Sequence, residues 1–284
     1  MTTQTTSTSA TGWSPDVVFF PPQDAVPEAV VLQTATNAGP VEGDAVVVRV
    51  PYVDDAEAGV TAEGDEIQES DPTLDEAVVY TAKVTQLVRL SREQWTQPST
   101  ATQLASSVRR AIVKKADALY LAAPDPDPEL APVLGLALRT DLTAADGTVD
   151  ADLDYLVDLI AALEAETASP SVIVVDPVGW ADLQKIKRDS TDSNEGLLGA
   201  GTMATERRLL SLPVLVNSQM PAATGLVIDK NEVVAAIGQV AVATSDQALF
   251  QYDSVLIRAT MRFGFAVPRP ERIGVFNTTS YVAA

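Results

Sequence analysis

Ser171-Val-Ile-Val-Val-Asp-Pro-Val-Gly-Trp-Ala-Asp-Leu-Gln-Lys-Ile-Lys187 holds a strand, a cap and a helix in one short run. Val172-Ile-Val-Val175 is β-branched throughout and has no polar interruption, which is the pattern of a strand buried on both faces. Asp176 stands where an N-cap carboxylate satisfies the first free amides of a helix. Pro177 falls at the first helical position, where its missing N–H costs nothing. Trp180, Leu183 and Ile186 then give that helix an apolar face. A polar, Gly-rich stretch from Arg188 to about Thr205 reads as a loop. Strands resume at Leu212-Pro-Val-Leu-Val216, Gly225-Leu-Val-Ile228 and Val240-Ala-Val-Ala243, and two more are expected over 254–267 and 271–277.

Upstream the rhythm is helical. Leu153, Leu156, Val157, Ile160 and Leu163 share a face, and 167–170 ends that helix. The strongest helix in the chain is expected over 99–122, between Pro98 and Pro124. Its stripe is Leu104, Val108, Ala111, Ile112 and Leu119, flanked by Arg109, Arg110, Lys114 and Lys115. Ala123-Pro-Asp-Pro-Asp-Pro-Glu129 comes next as a stiff connector with a domain boundary near it.

Further upstream, Ala45-Val-Val-Val-Arg-Val50 reads as a strand ending at Pro51, and a second strand is expected over 77–90. Asp54, Asp55, Glu57, Glu63, Asp65, Glu66, Glu69, Asp71, Asp75 and Glu76 run between them or into the second, with no basic residue among them. Asp71-Pro72 is a turn signal. The whole reads as a long, exposed β-hairpin arm. Residues 1–15 are Thr/Ser-rich and read as a flexible arm, with no basic or apolar region of a signal peptide. Pro21, Pro22 and Pro27 stiffen an extended stretch beyond it, and Val17-Val-Phe-Phe20 is a candidate anchor. No repeat is visible, and the fold class is α+β.

Composition narrows the chemistry. The 284 residues contain no cysteine and no histidine, so disulfides, Cys/His zinc sites and Ser-His-Asp or Cys-His nucleophiles are excluded. A hydrophobic fraction of 46% supports a folded core, and no apolar run is long enough for a membrane span. The net charge of −20 opposes binding to a nucleic-acid backbone as a main task.

Three patterns invite a functional reading. A carboxylate pair for glycoside hydrolysis needs two groups fixed across a sugar with separated pKa values, and the acidic stretch offers few apolar anchors for that. It reads as solvated charge. Gly196-Leu-Leu-Gly-Ala-Gly201 lacks the Lys-Ser/Thr ending and the preceding strand of a phosphate loop. Arg109, Arg110, Lys114 and Lys115 have no aromatic residues between them for base stacking. They suit acidic partner subunits, or a position beneath packaged DNA, or simple solvation. No catalytic, cofactor-binding or metal-binding residue is assigned.

The order of elements resembles the Hong Kong 97-type capsid subunit of tailed bacteriophages. The resemblance is carried by Asp176-Pro177 opening a Trp180-containing helix, by Leu210-Ser-Leu-Pro-Val214, and by Met220-Pro221. The closing runs Asp253-Ser-Val-Leu-Ile-Arg258, Phe265-Ala-Val267 and Pro270-Glu-Arg-Ile-Gly-Val275 add to it. So do Ala62-Glu-Gly64 and Glu69-Ser-Asp-Pro-Thr73 upstream. It spans nearly everything beyond about residue 40.

The resemblance implies an N-terminal arm (1–40) and an extended β-hairpin loop (41–90) lying over a neighbouring subunit. It also implies a peripheral domain with a long spine helix (91–136 and 242–267) and an axial domain (137–241 and 268–284). The implied function is that of a major capsid protein, not an enzyme, self-assembling as pentamers and hexamers into an icosahedral shell around double-stranded DNA. That DNA would be enclosed without sequence-specific binding, in the virion, after assembly in the bacterial cytoplasm. A separate scaffold or none, a portal and decoration proteins are the other partners implied. Cofactor and membrane are not. Two departures matter: only about 40 residues precede the hairpin, too few for a fused scaffolding region. The hairpin also lacks a tip lysine for the family's covalent crosslink, Lys83 being its first. Rival readings are an encapsulin-like compartment shell, a carboxylate-dependent carbohydrate-active enzyme and a tail-tube subunit.

Overall fold

The computed structural model describes residues 17–20, 29–40, 47–54, 60–61, 73–95, 100–124, 134–150, 152–189, 193–198 and 207–278. Among these, two six-stranded sheets share one hydrophobic interior.

The first sheet is organised by β15 (Ser254–Ala266). On one edge β15 pairs with β14 (Val240–Leu249) and then, further along, with β13 (Val234–Ile237). Its other edge pairs with β5 (Ala82–Ser91) over ten residues. β1 (Val17–Phe20) lies outside β14, and β2 (Thr36–Pro40) runs parallel to β13. Side chains on β15 alternate. Val255, Ile257, Ala259, Met261, Phe263 and Phe265 are buried, while Arg258 is exposed and Leu256, Thr260 and Arg262 are half-buried. The buried row meets helix α3 (Thr100–Ala122) through Val108, Ile112, Ala116 and Tyr120. Tyr120 sets its ring edge-on to Phe265 at 5.0 Å between centroids, a favoured aromatic arrangement. The expected stripe is present, but its centre is shifted: Leu104, Ala111 and Leu119 are half-buried, and the buried row runs on through Ala116 and Tyr120.

The second sheet has the order β10-β11-β7-β12-β16-β6, comprising Arg208–Leu209, Leu212–Val216, Val172–Val175, Thr224–Ile228, Gly274–Thr278 and Thr143–Val149. β7 is buried on both faces, as its unbroken apolar run demands. Ile173 and Val175, with Val227 and Phe276, pack under α4 (Asp154–Ala165) and α5 (Pro177–Lys185) through Leu156, Leu159, Leu163, Trp180 and Leu183. Val172 and Val174, with Leu226 and Ile228, point the other way, into the interior shared with α3 and the first sheet. Asp176 caps α5 by accepting from the amides of Val178 at 3.1 Å and Gly179 at 3.0 Å.

Several sequence expectations are corrected. β3 (Val47–Asp54) does not stop at Pro51. Among the described residues it pairs only with β4 (Thr73–Tyr80), and a proline is tolerated where the N side of a strand faces no partner. The strand expected over 77–90 is two strands broken at Thr81. β4 belongs to the hairpin and β5 to the first sheet. A Cβ on Gly264 of β15 would overlap the carbonyl of Tyr80, so glycine is what lets the hairpin root sit on β15. Residues 29–35 are core rather than arm. Helix α1 (Val30–Thr34) buries Val30, Val31 and Thr34 against α3. Part of the loop expected from Arg188 is ordered as β8 (Lys187–Asp189) paired with β9 (Ser193–Gly196). A four-residue helix, α2 (Arg92–Trp95), links β5 towards α3. Residues 1–16, 125–133 and 199–206, on which the expected N-terminal arm, most of the proline connector and the end of the Gly-rich run fall, lie outside the described residues.

Candidate functional site

Much of the β3–β4 hairpin is exposed among the described residues, and it is in register from Val47 opposite Tyr80 to Asp54 opposite Thr73. Its root is anchored because Val48, Val50 and Val79 pack with Val234, Ala236 and Ala266 of the first sheet. Further out, Val53 (43% exposed) faces Leu74 (79% exposed) across the ribbon with nothing above them among the described residues. Tyr52 donates to Asp75 at 3.1 Å, and Arg49 pairs with Glu76. Both carboxylates are on the exposed ribbon, in no enclosed cleft that would fix a sugar between them. Asp55, Glu57, Glu63, Asp65, Glu66, Glu69 and Asp71 lie outside the described residues.

The hairpin is tied to the crossings between the sheets. Arg269 donates to the Val53 carbonyl at 2.8 Å and lies 5.6 Å from the Tyr52 ring centroid. The same guanidinium meets the buried Glu232 carboxylate at 3.2 Å, and Arg272 meets it at 2.7 Å. Glu232 stands where the chain passes from β12 to β13, and the two arginines where it returns from β15 to β16. One carboxylate therefore holds both crossings and, through Arg269, the hairpin.

A second polar cluster lies in the shared interior. Asp117 of α3 accepts from the Val30 amide at 2.9 Å and from the Asn217 side chain at 2.7 Å. Burial pushes its carboxyl above the ordinary range, and the two hydrogen bonds oppose that. One turn on, the Tyr120 hydroxyl is 2.9 Å from the Thr34 hydroxyl, and burial raises its pKa. These bonds join α1, α3 and the end of β11. All three side chains, Asp117, Tyr120 and Thr34, are buried.

Basic residues cluster in three places. Arg109, Arg110, Lys114 and Lys115 are exposed on α3, as the helical spacing indicated, and Arg207 and Arg208 are exposed beside β10. Arg258 and Arg262 instead share the outer face of β15 with Lys83 and Arg89 of β5. Sequence reasoning missed Lys83 and Arg89 as members of that face. Period-two alternation puts them on one side of β5, but only the pairing with β15 brings them beside Arg258. Among the described residues no group of three or more carboxylate, histidine or cysteine side chains is arranged to hold a metal ion. No helix among them is long and apolar enough to cross a membrane. What the arrangement offers is surface for contact with other protein: a ribbon, a basic sheet face and a basic helix.

The family model described as the phage capsid family matches residues 25–277. The chain belongs to the phage capsid family. As a phage capsid protein it forms a head shell, and its part in the virion is structural. Solved capsid structures share its fold. The capsid of a native GTA particle computed with C5 symmetry superposes with a TM-score of 0.66 at 20% identity, covering 88% of this chain and 89% of that one. A chain of Microbacterium phage Oxtober96 gives 0.67 at 14% identity, covering 88% and 91%. One from Mycobacterium phage Cain gives 0.62 at 18% identity, covering 90% and 91%. No curated protein sequence matches the chain. The α+β Hong Kong 97-type fold expected from the sequence agrees with these superpositions.

Proposed function

We propose that this phage capsid protein is the major subunit of an icosahedral head, built as pentamers and hexamers around double-stranded DNA, with no catalysis of its own. The observation that carries this reading is the hairpin. It projects beyond its root contacts with the first sheet, tied back through Arg269, and presents Val53 and Leu74 to solvent, on a chain matched to the capsid family over 25–277. A monomer gains nothing from an exposed two-stranded ribbon, whereas a neighbouring copy covers its apolar groups and free edges.

In this reading the hairpin lies over the next subunit. The first sheet with α3 is the peripheral domain, and the second sheet with α4 and α5 is the axial domain around the five- and six-fold centres. The junction between the two falls at the Glu232 crossing. DNA is enclosed without sequence recognition, the acidic charge of the subunit disfavouring phosphate contact. Assembly takes place in the bacterial cytoplasm with a separate scaffolding protein or none, and portal and decoration proteins are separate chains.

Negative-stain microscopy of the purified full-length protein, with sizing across concentration, tests the proposal. Icosahedral shells or capsomer rings are expected. A compact monodisperse monomer at every concentration and salt overturns it.

A further inference from the structure

The hairpin is held at two points along its length. Its root packs at Val48, Val50 and Val79, and a ribbon held there alone is free to pivot. Val53, whose carbonyl accepts from Arg269 at 2.8 Å, lies about 16 Å along β3 from Val48 at the ordinary strand rise. The same guanidinium is 5.6 Å from the Tyr52 ring centroid. Tyr52 in turn donates across the ribbon to Asp75 at 3.1 Å, so the hold extends to both strands. A second grip that far from the pivot fixes the angle of the ribbon.

Behind Arg269 the contacts run on without a gap to α4. The buried Glu232 carboxylate accepts from Arg269 at 3.2 Å and from Arg272 at 2.7 Å. Arg272 also donates to the Thr167 hydroxyl at 2.8 Å. Thr167 is the second residue past the end of α4, and its φ is 61°. Glycine is the usual residue at that position, and a β-branched side chain strains this backbone. Such strain persists where the surroundings over-determine it, and here it coincides with the contact to Arg272.

We infer that Thr167, Arg272, Glu232 and Arg269 act as one positioning relay, which ties the angle of the hairpin to the end of α4. Glu232 is its joint, because each arginine reaches the other's far contact through that carboxylate. A load on the hairpin is then felt at the second sheet, and a change at the end of α4 is felt along the hairpin. Coupling between two sites is one free energy and acts equally in both directions. The use of the relay rests on the shell-subunit reading: it sets the arm's angle before a neighbour meets it, and reports to the second sheet that the arm is engaged.

Hydrogen exchange of the unassembled full-length chain separates a relay from two local ion pairs, comparing R272A, R269A and T167G with wild type. Arg272 bonds to Glu232 and Thr167, and among the described residues to none of the hairpin. Exchange along β3 and β4 in R272A should nevertheless quicken about five-fold, the lower end of ordinary coupling between sites. In R269A the amides of Thr167 and Ala168, which close the end of α4, should quicken by a similar factor. T167G removes the strain and the hydroxyl together. Its melting should hold or rise while hairpin exchange quickens about two-fold, whereas a merely structural residue moves both in one direction. Unchanged exchange in β7 checks that the variants fold. Wild-type hairpin exchange in R272A, or a wild-type α4 end in R269A, overturns the relay. Should R272A not fold, wild-type hairpin exchange in T167G overturns it. The concentration needed for assembly, read by light scattering, should rise about five-fold in R272A in step with the exchange. A loosened hairpin that assembles at the wild-type concentration overturns the angle-setting role. If the wild-type chain forms neither shells nor capsomers, the shell reading falls, while exchange in the single subunit still decides the relay.

Discussion

Asp117 on α3 and Asn217 at the end of β11 are a hundred residues apart in sequence and joined by a 2.7 Å hydrogen bond in the shared interior. The same carboxylate takes the Val30 amide of α1 at 2.9 Å, so one side chain ties three parts of the chain together.

Truncating Asp117 leaves those two donors without an acceptor. A buried donor without a partner costs about 1–3 kcal/mol, so D117A should lower unfolding stability by about 3 kcal/mol. D117N keeps one acceptor and should lose about half as much. The pH dependence has a definite sign. Burial raises the folded carboxyl above its ordinary 3.8, so the folded state holds the proton to higher pH than the unfolded chain. The resulting stabilisation is complete below 3.8 and lost as pH rises through the raised value. Urea titrations from acid to neutral pH should show the wild-type advantage over D117N shrinking with pH and then levelling. A pH-independent difference would contradict this.

Glu232 serves Arg269 and Arg272, whose side chains are about one-fifth exposed. Replacing it by glutamine removes the carboxylate that the two largely buried guanidinium groups share. We expect a loss of about 2–3 kcal/mol, reduced from the fully buried case by that exposure. Because Arg269 also holds the Val53 carbonyl, amide exchange along β3 and β4 should quicken in E232Q by more than in β7. Equal quickening in both would mean general unfolding and not release of the hairpin.

The two residues joining β10 to β11, Leu210 and Ser211, both have positive φ, 48° and 70°. A two-residue turn of this kind suits Asn-Gly, because side chains beyond Cβ strain that backbone. L210N/S211G should raise stability by about 1 kcal/mol, read as a higher urea midpoint with an unchanged slope. A lower midpoint would show that the Leu210 side chain contributes more than its turn costs.

Asp54 and Thr73 are paired at the outer end of the hairpin. Replacing residues 55–72 by Asn-Gly would close the ribbon with a tight turn and shorten the loop that must be ordered. The variant should melt within a few degrees of wild type, yet assemble poorly. Normal shells would show that the acidic segment is dispensable.

The legibility of the fold followed how local each signal was. α5 and its cap were readable because Asp176 and Pro177 act within one turn of their own chain. β7 was readable because burial on both faces leaves no room for a polar residue. β2, Thr36-Asn-Ala-Gly-Pro40, contains no large apolar side chain, and its extended shape comes from pairing with β13 far along the chain. β6 is half-exposed along most of its length, so its alternation is faint. The break at Thr81 was hidden for the same reason: β4 and β5 have one continuous composition but different partners.

The surfaces divide in the same way. The helix cluster around Arg110 and Lys114 comes from spacing along one element. The strip of Lys83, Arg89, Arg258 and Arg262 requires knowing that β5 and β15 are neighbours, and in what register. The link from Glu232 to the hairpin was invisible too, since Arg269 reaches Val53 only after the sheets are assembled.

The strand order has a consequence for synthesis. β15 is the strand on which β5, β13 and β14 are built, and β16 joins β12 to β6. Both follow every other strand of the two sheets in sequence, ending at Ala266 and Thr278. A nascent chain leaving the ribosome from its N-terminus therefore carries the hairpin and α3 long before either sheet has its organising strand. Neither half can close early, and no truncated product presents a finished surface to a neighbour. Synthesis of β15 and β16 is therefore the step after which a subunit is ready to be counted into a particle.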